Sequence, residues 1–189
     1  MKDKQYDKVF VFHGYSFEEA VGSADPLNDA VGRIAMNFGE LEEVLSSCIN
    51  HLLGTEPEIG LIITSEMSFK AKVHVLASLV KKEYEINELK ISHSDFKDLL
   101  YMCTKSEELR NKLLHSSWIY DHSKSHVEIR RRKTSAKMKH GYKQDEEPLT
   151  PGQVLEMADY IITTAMYLED FFIGCYDNYE CLLESVIHA

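Results

Sequence analysis

Apolar residues recur at three- and four-residue intervals through most of this chain, which is the spacing of a buried face on an α-helix. Capping residues mark several of the helix starts. Thr55-Glu56-Pro57-Glu58 predicts a capping box for the short second helix. Asp25 followed by Pro26 predicts the start of the first long helix. The start of the last long helix is predicted at Thr150-Pro151-Gly152-Gln153, which combines an N-cap, a first-turn proline and a reciprocal glutamine. The pattern predicts four principal helices and shorter ones, at about 25–53, 55–64, 68–84, 92–115, 150–176 and 181–187.

Between the fourth and the last long helix the pattern changes to β-favouring residues. Trp118-Ile119-Tyr120 and Val127-Glu128-Ile129-Arg130 are of this kind, and a short strand at about 138–142 would pair with the second of them. We therefore predict an all-α fold, an up-down bundle of four to five helices, with a basic β-hairpin inserted before the last long helix. Residues 1–24 would form an N-terminal extension, and 25–189 the helical domain, with its insertion at about 118–147.

The composition is that of an ordinary globular protein. The 189 residues are 44% hydrophobic and 28% charged, enough for one domain with a sizeable core. No apolar run is long enough to cross a bilayer, and no secretion signal follows the first charges, which predicts a cytoplasmic protein that does not bind membranes. The sequence contains no metal-ligand spacing and no phosphate-binding loop, so we predict no cofactor. Four cysteines in helical patterns are predicted to be reduced core residues: Cys48, Cys103, Cys175 and Cys181.

Charge is distributed unevenly along the chain. The formal net charge of -10 argues against a general nucleic-acid coat. Nevertheless, residues 124–143 hold eight basic side chains against one acid, whereas 145–189 hold ten acids and no Lys or Arg. Two interpretations stay open. The basic segment is a finger that contacts nucleic acid, or it is a solvated hairpin whose charges pair with the acidic helix of the same molecule or of a second copy.

The segment Arg110-Asn111-Lys112-Leu113-Leu114-His115, in the last turns of the fourth helix, carries the most suggestive chemistry. Asn111 and His115 are four residues apart and so share one helical face, toward which the long side chain of Arg110 can lean. An arginine holds phosphate through its planar fork, and a histidine exchanges protons near neutral pH. This combination suits phosphodiester chemistry. The structural alternative is that these side chains cap the end of the helix and bind acids on a neighbouring helix.

This segment resembles the arginine, four to six residues, histidine motif of the HEPN superfamily. A polar residue after the arginine, here Asn111, is typical of that family, and the order of long helices matches over about 25–175. The resemblance implies a metal-independent endoribonuclease in bacterial defence or stress, acting as a homodimer with a composite site. It implies that His115 is the acid or base for attack of the ribose 2′-OH on phosphate, giving a 2′,3′-cyclic phosphate. Arg110 would stabilise the growing charge, and Asn111 would orient His115 or bind phosphate.

The resemblance also suggests supporting residues and partners. Glu40 and Glu43 on the first helix are candidate acids beside the motif, although exposed polar positions on an amphipathic helix explain them better. Ser117 stands where related toxins have a regulatory tyrosine. Separately from the resemblance, His74 is interpreted as a core or boundary residue, because it lies near the apolar stripe of its helix. RNA and an antitoxin or other protein are the expected partners. The alternative function is a non-catalytic HEPN-like module that binds a protein, nucleotide or nucleic acid. The predicted nucleic-acid-binding residues are Lys124, Arg130, Arg131, Arg132, Lys133, Lys137 and Lys139.

Overall fold

The architecture is a helical bundle with a small antiparallel sheet inserted before the last helix. A computed structural model describes the backbone of residues 17–87, 93–121, 128–137 and 141–187, and the side chains of 26–83, 95–120, 128–136 and 141–172. This part of the chain contains five helices and three strands, which confirms the predicted mainly helical fold with a β insertion. The elements are α1 (Phe17–Leu53), α2 (Pro57–Ser65), α3 (Phe69–Asn87), α4 (His93–Leu114), β1 (Ser117–Asp121), β2 (Glu128–Lys137), β3 (Gly141–Pro148) and α5 (Pro151–Ile187).

The core lies where α1 meets the other helices, because its apolar stripe is the longest in the chain. α1 packs most extensively on α5, and also on α2, α3 and α4. One polar contact fixes the α1–α5 pairing, since the Asn37 amide donates to the Ala158 carbonyl at 2.8 Å. The fully buried aliphatic side chains come from every long helix: Leu27, Ile34, Leu41, Leu45, Ile49, Leu76, Leu113, Val154, Ile161 and Leu168.

The predicted start of the first helix at Asp25 is wrong. α1 begins at Phe17, so Pro26 lies inside the helix and the boundary between 1–24 and 25–189 falls within it. A proline has a helical φ but no N–H to donate to the preceding turn, so the same residue suits a first turn and is tolerated, at a cost, further in. The predicted end of α1 is confirmed. Gly54 follows the helix with φ of +59°, and its N–H donates to the His51 carbonyl at 3.1 Å.

The capping predictions succeed at one helix and fail at another. At α5 the Thr150 N–H donates to Oε1 of Gln153 at 2.9 Å, and the Gln153 N–H donates back to Oγ1 of Thr150 at 3.2 Å. This is the reciprocal pair that the sequence predicted. At α2 the N-cap is Glu56, which makes no side-chain capping bond, so the capping box predicted from Thr55 is wrong. α5 also continues to Ile187, where the sequence predicted an end near 176 and a separate short helix.

The inserted sheet has three strands in the order β1-β2-β3, all antiparallel, where the sequence predicted a two-stranded hairpin. The predicted second strand at about 138–142 is also misplaced, because β3 begins at Gly141 and extends to Pro148. β3 contains acids that sequence analysis grouped with the acidic C-terminal part of the chain. In the observed register Arg131 lies opposite Glu147 and Arg132 opposite Glu146. Opposite charges in these positions stabilise a strand whose acids have low β propensity.

Candidate functional site

Arg110 is held in place by a hydrogen bond within its own helix and by an aromatic ring of α1. Its Nη1 donates to the Asn111 carboxamide oxygen at 2.8 Å. The guanidinium carbon lies 5.1 Å from the ring centre of Phe38 on α1, within cation–π range. That ring in turn packs on Phe69 of α3, with ring centres 4.6 Å apart. The side chain is half-buried, so its planar fork is oriented before any ligand arrives.

His115 lies one residue beyond the end of α4 and is exposed, whereas Asn111 is half-buried. The structure therefore brings Arg110 and Asn111 into direct contact and leaves the imidazole at the surface, within reach of a substrate. The Asn111 carboxamide oxygen accepts from Arg110, so the described bond of Asn111 orients the arginine. An exposed imidazole five residues after an oriented arginine has the chemistry to exchange protons with a bound phosphodiester.

A groove of about 260 Å³ between α3 and α4 opens beside the motif and shares Asn111 with it. His74 lies on its wall and is exposed, so the prediction that His74 is a core or boundary residue is wrong. On the α4 wall of the groove, the ammonium of Lys105 donates to the Glu108 carboxylate at 3.2 Å. This ion pair neutralises part of the negative charge of that wall. The donors and acceptors of this groove suit the hydroxyl and amine groups of a sugar or base. The lining residues are Lys70, Val73, His74, Thr104, Glu107, Glu108 and Asn111.

Both candidate acids of α1 lie at the surface, whereas a neighbouring acid forms an ion pair. Glu40 and Glu43 are exposed. The acid with a defined partner is Glu42, whose carboxylate lies 2.9 Å from the ammonium of Lys72. Lys72 is only 5% exposed, and a cation at that depth requires such a partner.

The sequence pattern did not lead us to predict this ion pair, although the spacing of its residues is consistent with it. Glu42 follows Phe38 by four residues and Lys72 follows Phe69 by three, so each charge continues the helical face that carries an aromatic ring of the site. The ion pair and the two rings thus join α1 to α3 next to Arg110.

A network of charges fixes the chain on both sides of His115. Before it, the Lys112 ammonium lies 2.8 Å from Oε2 of Glu147. After it, the Ser116 hydroxyl accepts from Nη1 of Arg131 at 3.1 Å and donates to the Lys112 carbonyl. Arg131 itself pairs with Glu147 at 3.3 Å and with Asp145 at 2.9 Å.

The carboxylate at the centre of this network is that of Glu147. The hydrogen bond from Lys112, and then the nearby charges of Lys112 and Arg131, lower the pKa of Glu147 below its usual value. Since Glu147 belongs to β3 and Lys112 to α4, the sheet is bound to the end of the motif helix. This inserted sheet positions His115 from outside the bundle.

The arginines of β2 are ion-paired within the sheet. Arg131 is 2% exposed. Arg130 lies 3.2 Å from Glu128 and 3.7 Å from Glu146, and Arg132 lies 2.6 Å from the same Glu146 carboxylate. The hydrogen bond from Arg132 is the main reason that the pKa of Glu146 is lowered.

These partners differ from the one that sequence analysis considered, which was the acidic last helix. Glu128 lies on β2 itself, and the other acids lie on β3. Lys133 is exposed on β2. Of the remaining predicted nucleic-acid-binding residues, Lys124, Lys139 and the side chain of Lys137 lie outside the described residues. The predicted nucleic-acid contact by this segment stays a prediction.

Three further features of the described chain concern metal ions, membranes and thiols. No group of three or more His, Cys, Asp or Glu side chains suited to a metal ion occurs among the described residues. Within the same part of the chain, no helix has both the length and the apolar character needed to cross a bilayer. Cys48 and Cys103 are buried free thiols, as predicted, whereas the side chains of Cys175 and Cys181 lie outside the described part.

Comparison with known proteins gives no further assignment. No protein-family model, no curated protein and no solved structure matches this chain. The geometry around Arg110 and His115, together with the motif they belong to, is therefore the basis for a functional proposal.

Proposed function

We propose that this chain is a HEPN-like, metal-independent endoribonuclease that acts as a cytoplasmic homodimer. The observation that carries the proposal is that Arg110 is half-buried and oriented by its contacts, while His115, one residue past the same helix, is exposed. If Arg110 and His115 only capped the end of α4, Arg110 would not need its contact with the Phe38 ring of α1. The motif resemblance supplies the reaction class, and the contacts of Arg110 support it.

The reaction requires a proton to leave the ribose 2′-OH and another to reach the departing oxygen. His115 of one protomer would take the 2′-OH proton while that oxygen attacks the adjacent phosphorus. The bond from phosphorus to the 5′ oxygen breaks, and the imidazolium of a second His115 would protonate the leaving oxygen. The products are a 2′,3′-cyclic phosphate and a 5′-OH. Arg110 would stabilise the additional negative charge on the phosphoryl oxygens.

A homodimer follows from this need for two imidazoles, because one chain supplies one motif. His115 is exposed, so a second copy can bring its own imidazole to the same phosphate. The net charge of -10 opposes the approach of RNA in general. Productive binding would therefore depend on local cations, and Lys70, which lies on the wall of the adjoining groove, would hold the strand next to the motif.

The decisive experiment is cleavage of a defined RNA in EDTA by the wild type, by His115→Ala and by His51→Ala. His51 is an exposed histidine near the end of α1 and provides the matched control. We expect His115→Ala to lower the rate by about 10²- to 10⁴-fold, the usual contribution of a general acid or base, and His51→Ala to retain wild-type activity. Mass spectrometry of the products should find 2′,3′-cyclic phosphate ends. Undiminished cleavage by folded His115→Ala would refute the proposal.

A second candidate is a non-catalytic HEPN-like module, and one observation favours it. The strand β2 leaves Arg130 and Arg132 half-buried and Lys133 exposed, so phosphate can reach these cations without any use of Arg110 or His115. This function predicts no turnover, but RNA binding that weakens steeply with salt. Glutamine at Arg130, Arg132 and Lys133, the half-buried or exposed cations of β2, should then reduce affinity and flatten the salt dependence. Unchanged affinity in that triple variant would exclude β2 as the contact surface.

A further inference from the structure

The short helix α2 exposes a group of large aliphatic side chains that nothing in the described chain covers. Ile59, Leu61, Ile62 and Ile63 are 50%, 58%, 70% and 45% exposed. Single exposed aliphatic residues are normal on protein surfaces, but four within five consecutive residues are not. Contiguous apolar surface of this kind typically marks a contact site.

The helix is oriented by its opposite side. Gly60 and Thr64 are buried, and Gly60 lies against the carboxamide of Asn50 on α1. Because this side faces α1, the residues at i, i+3 and i+4 on the other side point outward: Ile59, Ile62 and Ile63. We call these three side chains the isoleucine face. The packing of Gly60 thus holds the isoleucine face away from the bundle.

The charged side chains of α2 and of the turns that flank it are all acidic. Glu56, Glu58 and Glu66 are exposed at the two ends of α2. Residues 52–69 contain these three acids and neither Lys nor Arg. A ligand that covers the isoleucine face must therefore bring apolar side chains with basic groups at their margin.

We propose that the isoleucine face is a docking site for an amphipathic helix of a partner protein, with Lys or Arg residues flanking its apolar stripe. Residues spaced i, i+3 and i+4 form a ridge that fits between the ridges of another helix. A second copy of this chain would place like charges at both margins of the contact. A membrane surface is a poor match, because interfacial helices carry Lys and Arg beside the apolar face. This inference does not depend on the proposed ribonuclease activity.

The test uses two synthetic helical peptides of equal length with the same leucine stripe, one flanked by lysines and the other by glutamates. Affinity is measured by fluorescence anisotropy with the full-length protein. We expect the lysine peptide to bind at least about tenfold more tightly than the glutamate peptide. Ile62→Ser should weaken lysine-peptide binding by about tenfold or more, since it removes apolar contact area from the centre of the face. Met36→Ser, at a 77% exposed apolar position on α1, is the matched control and should have no effect.

A further variant tests the charge component without touching the apolar residues. Lysine at all three of Glu56, Glu58 and Glu66 should reverse the preference between the two peptides. Because Ile62 is 70% exposed, Ile62→Ser should leave the fold intact, which circular dichroism can verify. Ile62→Ser should also leave any cleavage of RNA unchanged, so failure of this inference and failure of the proposed function can be told apart.

Four outcomes would overturn the inference. Equal affinity for both peptides would remove the role of charge, and equal losses in Ile62→Ser and Met36→Ser would remove the role of the face. A wild-type dimer that Ile62→Ser dissociates in sedimentation experiments would identify a second copy as the occupant. Binding to phosphatidylcholine–phosphatidylglycerol vesicles that Ile62→Ser abolishes would identify a membrane surface.

Discussion

Replacing Arg131 by alanine should destabilise the protein far more than the same replacement of its neighbour Arg132. Arg131 is 2% exposed and donates to Glu147, Asp145 and Ser116. The alanine variant removes the three donors at once and leaves a cavity beside the acceptors. Since the network joins β2 and β3 to the end of α4, the effect should appear in global unfolding.

The magnitude follows from the exposure of the partners. Removing one member of a fully buried ion pair costs about 3 to 5 kcal/mol. The side chains of Asp145 and Glu147 are 61% and 38% exposed, so water can partly replace the guanidinium. We therefore expect a loss of about 2 to 3 kcal/mol in the free energy of unfolding, below the fully buried range. This corresponds to a roughly 30- to 150-fold change in the unfolding equilibrium constant.

The assay is urea unfolding followed by far-UV circular dichroism, with Arg132→Ala as the matched control. Arg132 is the next residue in the same strand and pairs with Glu146, but its side chain is 41% exposed. An exposed pair contributes about 0 to 1 kcal/mol, so this variant should be close to wild type. Equal losses in the two variants would refute the reasoning that burial, and not ion pairing as such, makes Arg131 important.

The same network predicts a pH dependence. The folded pKa of Glu147 is depressed by Lys112 and Arg131, so its contribution to stability is complete above its unfolded pKa, near 4.5. That contribution is lost as the pH falls through the lower folded pKa. Without Arg131 the folded pKa moves back toward the unfolded one. The stability difference between wild type and Arg131→Ala should therefore be constant near neutrality and narrow below about pH 4.5. A difference that widens in acid would contradict the assigned partners.

Other substitutions test the helix packing. Thr150→Ala should lower the free energy of unfolding by about 1 kcal/mol, because it removes the α5 capping bond. Gly60→Ala should destabilise by about 1 to 3 kcal/mol, since its Cβ would overlap the Asn50 carboxamide. In an Asn50→Ala background the same substitution should become stabilising by up to about 1 kcal/mol, owing to helix propensity. Burial raises the pKa of the Cys48 and Cys103 thiols to about 12, so maleimide should label neither until the protein unfolds, as peptide mass spectrometry would verify.

The sequence correctly predicted those helix ends that depend only on residues close together in the chain. The capping pair of Thr150 and Gln153 is complete within four residues, and the stop at Gly54 needs only a residue that tolerates positive φ. Pro26 misled because its local conformation is the same at the start of a helix and within one. What distinguishes the two cases is the preceding turn, which the apolar pattern of the sequence left unassigned.

The contacts of the site depended on distances that a linear pattern does not contain. Asp145 pairs with Arg131 across a strand register that the sequence did not predict. Glu42 and Lys72 are thirty residues apart, and their pairing depends on how α1 and α3 are rotated against each other. Arg110 and Asn111, by contrast, are adjacent in the chain, and sequence analysis found them together.

The Arg131 network has a consequence for how this protein can be engineered. The network joins Lys112 and Ser116, at the end of α4 and just after it, to Arg131, Asp145 and Glu147 on β2 and β3. The sheet therefore cannot be removed without releasing the end of the motif helix. Deleting 118–147 and closing the gap with a short linker would strip Lys112 of its carboxylate and Ser116 of its donor. The turn that bears His115 would then lose both of its tethers. A minimal helical domain suited to studying this motif must retain all three strands.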